Sequence, residues 1–144
     1  MTKKSTAKTG NDYQTWCEGM LKEMYPGCAI HNQRAVGKFI PSIGRWISQR
    51  NDILGCVDII VIAPVQRPLF IQCTAHKSFT EKLKELGKIP WSLQYCDVQV
   101  WMKRAPGRTE IRYLKLEGME YILAPYGEIN SRKFTPCSKK NGSA

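Results

Sequence analysis

The chain has 144 residues, of which 42% are hydrophobic and 24% are charged. These values predict one folded domain, because the chain is too short for two ordinary domains and too apolar for a disordered protein. Lysine and arginine total 22 against 12 acidic residues, a formal net charge of +10. Such an excess of positive charge favours a polyanionic binding partner, and nucleic acid is the first candidate.

The same composition argues against several other classes of protein. The most apolar run, residues 56–64, is far shorter than the roughly 20 residues of a membrane-spanning helix. No apolar stretch follows the first lysines, so we expect no signal peptide and a cytoplasmic protein. The six cysteines are therefore expected to be reduced, and the absence of any Cys-x-x-Cys pair argues against a zinc site.

The predicted elements begin after a polar, lysine-rich segment, residues 1–10, which we expect to be a flexible basic arm. Apolar residues with the spacing of one helix face predict a first helix that starts at Asn11 or Asp12 and stops before Pro26. We expect one α/β domain over residues 11–124 and a flexible tail over 125–144.

The central elements predict a mixed sheet. Residues 57–63 are apolar on both faces, which is typical of a strand covered on each side by helices. Residues 69–74 return as its hairpin partner, and a Ser-x-x-Glu capping box predicts a second helix over 79–86. Further strands are predicted at 29–31, 45–48, 98–102 and 110–116. The fold class is therefore a small α/β domain with a mixed central sheet flanked by helices.

The predicted central strand contains one charged residue, Asp58. An unpaired carboxylate in an apolar interior costs several kcal/mol, so this position calls for a partner or a function. With the hairpin turn centred on Gln66, Asp58 would lie opposite Thr74, with Gln72 diagonally adjacent on the same face. A carboxylate, an amide carbonyl and a hydroxyl are hard oxygen donors suited to Mg²⁺ or Mn²⁺. A buried Gln72 equally well satisfies a neighbouring polar group, and that alternative stays open.

These residues resemble a nuclease family. Gly55-x-x-Asp58, a hairpin, then Ile71-Gln72-Cys73-Thr74 and a helix look like the core of the PD-(D/E)xK nucleases, in particular their Holliday-junction resolvase-like and phage-encoded branches. The resemblance covers roughly residues 12–117 and implies a restriction-endonuclease-like core, Mg²⁺ or Mn²⁺ as cofactor, DNA as substrate and a homodimer. Asp58, Gln72 and Glu18 would be its metal ligands.

The sequence departs from the family at two positions. Gln72 stands where the family has an acid, and Thr74 stands where it has a lysine that steadies the charge on phosphate. Lys77, three residues further on, is the candidate replacement for that lysine. Resolvase-like members take an additional acid from the first helix, which here is Glu18. The alternative for Glu18 is a solvated glutamate beside Lys22.

A basic segment between the first helix and the central strand is the candidate DNA-binding surface. Four cations occur there without an acid between them, interleaved with two aromatic residues, a pattern typical of a surface that follows phosphates. They are Arg34, Lys38, Arg45 and Arg50.

Three functions are left open. The first is a metal-dependent endonuclease in which Asp58, Gln72, Thr74, Lys77 and Glu18 form the catalytic site. The second is a catalytically degenerate nuclease-fold protein that binds DNA or acts in assembly, which the neutral Thr74 favours. The third is a domain without a nucleic-acid role, whose charge comes from its terminal segments.

Overall fold

The structure is a computed structural model that describes residues 6–32, 36–49, 54, 56–75 and 78–137, with side chains from Asp12 onward except in 36–40 and 45–49. These ranges contain two helices and nine strands. In chain order they are α1 (Thr6–Met24), β1 (Ala29–Asn32), β2 (Val36–Ile40), β3 (Arg45–Gln49), β4 (Ile59–Ile62), β5 (Leu69–Thr74), α2 (Phe79–Leu86), β6 (Asp97–Ala105), β7 (Arg108–Glu117), β8 (Glu120–Asn130) and β9 (Lys133–Pro136).

Seven strands form one mixed sheet in the order β1-β4-β5-β6-β7-β8-β9, and β2 pairs with β3 in a separate antiparallel hairpin. Neighbours in the large sheet are antiparallel except β5 and β6, which are parallel. Parallel neighbours need a crossover, and α2 lies in the connection between them. The prediction of an α/β domain with a mixed sheet is confirmed at this level.

Helix α1 covers one face of the large sheet. Its Cys17 and Leu21, which belong to the predicted apolar face, are completely buried. They share a core cluster with Trp101 of β6, also completely buried. The indole N–H of Trp101 donates to Gln99 Oε1 at 2.9 Å, so the polar end of this ring is satisfied inside the core.

Helix α2 packs with the second core cluster of the sheet. Its N-cap is the predicted one, since Ser78 Oγ accepts a hydrogen bond from the backbone N–H of Glu81 at 3.3 Å. The N–H of Gly87 donates to the last turn and ends the helix as predicted. Phe79 and Leu86 of α2 are buried in this cluster, together with apolar residues of β6 and β7.

The predicted flexible arm is wrong over residues 6–10, because α1 begins at Thr6. Residues 1–5 lie outside the described residues. The first turns of α1 have no apolar periodicity, so the pattern did not indicate them. An established helix extends into polar sequence at little cost, because each added residue gains a hydrogen bond without a new nucleation step.

The predicted flexible tail is also wrong up to residue 136, because β8 and β9 extend the sheet there. The β8–β9 turn has two residues, Ser131 and Arg132, with φ of 52° and 65°. Two positive φ angles define the type I′ hairpin turn, which sequences usually indicate by Asn-Gly or Asp-Gly. Ser-Arg carries no such signal, and the hairpin was therefore missed.

Candidate functional site

Asp58 lies directly before β4, not inside the strand as predicted. Val57 packs in the cluster that contains α2, whereas Ile59 packs in the cluster that contains α1. Residues two apart in a regular strand share a face, so the alternation is broken at Asp58. This irregularity positions the carboxylate at β5, where Asp58 Oδ2 accepts the backbone N–H of Cys73 at 2.8 Å.

The register of the hairpin differs from the prediction by two residues. Ile59 pairs with Ile71 and Val61 with Leu69, and the backbone N–H of Asp58 also donates to the carbonyl of Ile71, so Asp58 lies beside Ile71 rather than opposite Thr74. The turn is centred nearer to Val65, which has a φ of 61°. A shift by two keeps side chains on the same face. Gln72 and Thr74 therefore still share a face of β5, and both are buried.

Helix α2 brings an acid and a lysine to Gln72. The amide Nε2 of Gln72 donates to Glu85 Oε1 at 2.8 Å, and Lys82 Nζ lies 3.7 Å from the same oxygen. The side chain of Lys82 is only 4% exposed, whereas that of Glu85 is 36% exposed. We refer to Gln72, Lys82 and Glu85, together with Asp58, which binds the N–H of Cys73 next to Gln72, as the polar cluster.

Sequence reasoning missed Lys82 and Glu85, although a signal was present. Lys82 is three residues after Phe79 and four before Leu86, both of which were assigned to the buried face of the helix. That spacing puts Lys82 on the same face. A lysine in an apolar stripe with a glutamate three residues later indicates a buried ion pair directed at the neighbouring strand.

The pKa of the Cys73 thiol on β5 is affected by the charges of Asp58 and Lys82. The pKa of the Cys73 thiol is raised by its hydrogen bond to Cys17, by burial and by the negative charge of Asp58. The charge of Lys82 acts in the opposite direction.

The donor atoms of the polar cluster fit a hard divalent cation in type. Asp58 and Glu85 offer carboxylate oxygens, and Gln72 offers an amide carbonyl, as Mg²⁺ and Mn²⁺ prefer. Because Gln72 Nε2 faces Glu85, Oε1 faces away from it, and this buried atom has no hydrogen-bond partner among the described residues. Within the same residues, no three His, Cys, Asp or Glu side chains are grouped as metal ligands.

The other predicted catalytic residues have different positions. Glu18 Oε1 accepts from Asn32 Nδ2 at 2.9 Å, and its Oε2 lies 3.2 Å from Lys22 Nζ. Asn32 pairs with Ile59, the first residue of β4, so Glu18 lies near the start of that strand. Its two carboxylate oxygens contact Asn32 and Lys22. Lys77 lies outside the described residues.

Two of the four predicted DNA-binding residues occur in the β2–β3 hairpin. Lys38 pairs with Ile47, and Arg45 pairs with Ile40. Positions 38 and 40 share a face of the hairpin, so Lys38 and Arg45 are on that same face. Arg34 and Arg50 lie outside the described residues.

A further cationic group surrounds the start of α2. Arg104 and Arg112 lie with their guanidinium carbons 5.3 and 4.0 Å from the ring centroid of Phe79. Glu110 binds both arginines, at 2.9 and 3.1 Å. Burial opposes ionisation of Glu110, but the hydrogen bonds and charges of the two arginines outweigh it and lower the pKa of this carboxyl. The group retains one net positive charge on the face of the sheet that packs with α2.

Comparisons of the chain with known proteins find no match to a family model, to a curated protein or to a solved structure. Among the described helices, none is long and apolar enough to cross a membrane.

Proposed function

We propose that the chain is a DNA-binding protein with a nuclease-like fold that hydrolyses phosphodiester bonds with the help of a divalent metal ion. The observation that carries the proposal is the contact between α2 and β5. There Glu85 and Lys82 supply the carboxylate and the ammonium group that the resemblance expects on β5. Gln72 and Thr74, the neutral residues at those positions, then no longer argue against catalysis.

Each residue of the polar cluster has a defined part in this proposal. Asp58, Glu85 and the carbonyl of Gln72 would hold Mg²⁺ or Mn²⁺, which when bound polarises a phosphate and lowers the pKa of an attacking water. Lys82 provides a positive charge in buried surroundings, where it stabilises developing charge on a phosphate more strongly than a solvated lysine does. The hydrogen bond from Gln72 fixes the orientation of Glu85.

The element order supports a restriction-endonuclease-like core as part of the proposal. Helix α1 precedes three successive antiparallel neighbours, β1, β4 and β5. Helix α2 then leads to a strand parallel to β5. Asp58 comes directly before β4, and Gln72 and Thr74 lie on the next strand, β5, which is the arrangement that the resemblance implies. The net charge of +10 and the β2–β3 hairpin supply the DNA-binding part.

A second candidate function, DNA binding without cleavage, is favoured by the burial of the cluster. Asp58, Gln72 and Lys82 are 1%, 2% and 3% exposed. The hydrogen bond of Gln72 to Glu85 and the ion pair of Lys82 with Glu85 also serve to hold α2 on the sheet. In that case the hairpin would retain the nucleic acid while the cluster took no part in chemistry.

Metal-dependent cleavage distinguishes the two functions. The purified protein would be incubated with branched, duplex and single-stranded DNA in Mg²⁺, in Mn²⁺ and in EDTA. We expect cleavage of at least one substrate with a metal and none in EDTA. Glu85→Gln should lower the rate by at least about 10- to 100-fold, the range for loss of a residue that only orients a metal ligand. Glu81→Gln, on the exposed side of the same helix, is the matched control.

Binding of DNA without cleavage under every metal condition would establish the second function instead. A Glu85→Gln variant that cuts at the unaltered rate would remove α2 from the catalytic site.

A further inference from the structure

A cavity of about 280 Å³ lies between α1 and the turn that joins β6 to β7. Asp12 and Trp16 of α1, Lys103 of β6 and Gly107 of the turn contribute to its lining. None of these residues belongs to the polar cluster, and the volume is close to that of small-ligand sites.

The aromatic wall of this cavity is held in a fixed position. Trp16 and Tyr13 stack with ring centroids 5.8 Å apart and planes 14° from parallel. The hydroxyl of Tyr13 shares a buried hydrogen bond of 2.7 Å with Thr109 Oγ1 on β7. This bond ties the start of α1 to the sheet and fixes the half-buried indole of Trp16 at the cavity. An immobilised aromatic ring loses little entropy when a flat ligand stacks on it.

The chemistry of the lining fits a nucleotide. Trp16 provides a π surface, on which every nucleobase stacks regardless of its sequence. Lys103 provides a cation for a phosphate. Asp12 provides a carboxylate, which accepts hydrogen bonds from exocyclic amino groups. An aromatic ring and an acceptor for the base, with a cation for the phosphate, match a nucleotide better than they match a lipid or an apolar molecule.

The cavity lies on the face of the sheet that α1 covers, at the carboxyl end of β6, whereas Gln72 faces α2 on the opposite side. Thr74, at the end of β5, pairs with Met102 in the parallel ladder, and Lys103 is the next residue of β6. Neighbouring strands are about 4.8 Å apart, and one residue along a strand adds about 3.3 Å. Lys103, and with it the cavity, therefore lies beside the carboxyl end of β5.

We propose that this cavity binds an unpaired base of the nucleic-acid substrate, stacked on Trp16 with its phosphate at Lys103. The inference rests on the proposed function and names its substrate class: strands with an unpaired nucleotide, as in single-stranded or branched DNA. A base within an intact duplex reaches the cavity only after it leaves the stack, which costs a few kcal/mol. Single-stranded DNA is therefore preferred over duplex of the same sequence.

Binding measured in EDTA tests this inference without cleavage. The probe is a fluorescently labelled single-stranded oligonucleotide, with the matching duplex as second probe and anisotropy as the readout. Trp16→Ala should weaken single-strand binding about 5- to 150-fold, the range for loss of one stacked base, and change duplex binding less than about twofold. Trp16→Phe, which keeps a stacking ring, should recover most of the affinity.

Tyr95→Ala is the matched control, because Tyr95 is a 68% exposed aromatic residue near the opposite end of β6. If Trp16→Ala does not fold, Lys103→Ala replaces it, and we expect the same preferential loss of single-strand binding. Unaltered single-strand affinity in the folded variants, or an equal loss for duplex, would overturn the inference.

A further binding experiment adds a free deoxynucleoside monophosphate as a competitor of the labelled single-stranded oligonucleotide. We expect no competition at concentrations near the oligonucleotide's own dissociation constant, since a single nucleotide lacks the contacts of the strand. Equal competition would identify a site for free nucleotides and overturn the strand-binding inference. Metal-dependent cleavage together with unaltered single-strand binding by Trp16→Ala would overturn this inference alone. The reverse result, stacking without cleavage, would overturn only the catalytic proposal.

Discussion

Asp58 is the position where the effects of a charge and of a hydrogen bond on stability can be separated. Its carboxylate is almost completely buried and accepts the N–H of Cys73. Asp58→Ala removes the acceptor and leaves a buried backbone N–H without it, which costs about 1–3 kcal/mol. Asp58→Asn keeps an oxygen at the same place and removes a charge whose burial opposes folding. We therefore expect Asp58→Asn to lie within about 1 kcal/mol of the wild-type free energy of unfolding.

The measurements are urea unfolding, for the free energy, and thermal unfolding, for the midpoint, both at neutral pH in EDTA and followed by far-ultraviolet circular dichroism. For a chain of this length, each kcal/mol corresponds to about 3 °C in thermal midpoint, so Asp58→Ala should unfold about 3–9 °C lower. Equal losses in the two variants would show that the charge stabilises the fold and would refute the assignment of the effect to the Cys73 hydrogen bond. Wild-type stability of Asp58→Ala would refute the burial argument altogether.

Three further predictions concern other parts of the molecule. Alanine at three cations of the basic segment should weaken DNA binding and reduce the slope of log affinity against log salt by up to about three units; unchanged affinity would remove the segment from the interface. The three are Arg34, Lys38 and Arg45. Gly127→Ala should destabilise the protein by at least about 1 kcal/mol in urea unfolding, because its Cβ would lie 2.6 Å from a backbone oxygen of β9. Glu110 has a folded-state pKa below its unfolded value, so its stabilisation is present above the unfolded pKa and is lost as the pH falls through the folded one. The wild type should therefore lose more stability on acidification than Glu110→Gln does, and parallel curves would contradict this.

The elements that could be predicted from the sequence are those whose local signals agree with their packing. The capping box at Ser78 and the stop at Gly87 bound α2 as expected, because caps act within one turn. The apolar run at 57–63 indicated β4, but its expected burial on both faces does not hold at Ile62, which is 50% exposed. The β8–β9 hairpin was missed because its turn residues, Ser131 and Arg132, adopt positive φ without Asn or Gly.

The candidate site was predictable only in part. Asp58 and Gln72 were found because a polar residue in an apolar run must have a partner. Their register depended on where the turn is centred, which neighbouring Pro and Gln residues did not determine. Lys82 and Glu85 come from another element, and only the packing of α2 against β5 brings them to Gln72. Sequence order contains no direct record of such a contact.

The most direct test of the central claim is the single-turnover cleavage rate of Lys82→Met with saturating Mn²⁺. Lys84→Met is its control, because Lys84 lies on the exposed side of the same helix. If Lys82 is the cation of the site, its variant should cut about 100- to 1,000-fold more slowly than the wild type. It should still bind DNA and unfold within a few degrees of the wild type, and the control should cut normally. Wild-type cleavage by Lys82→Met, or no cleavage by the wild type itself, would contradict the claim that α2 completes a catalytic site with Asp58.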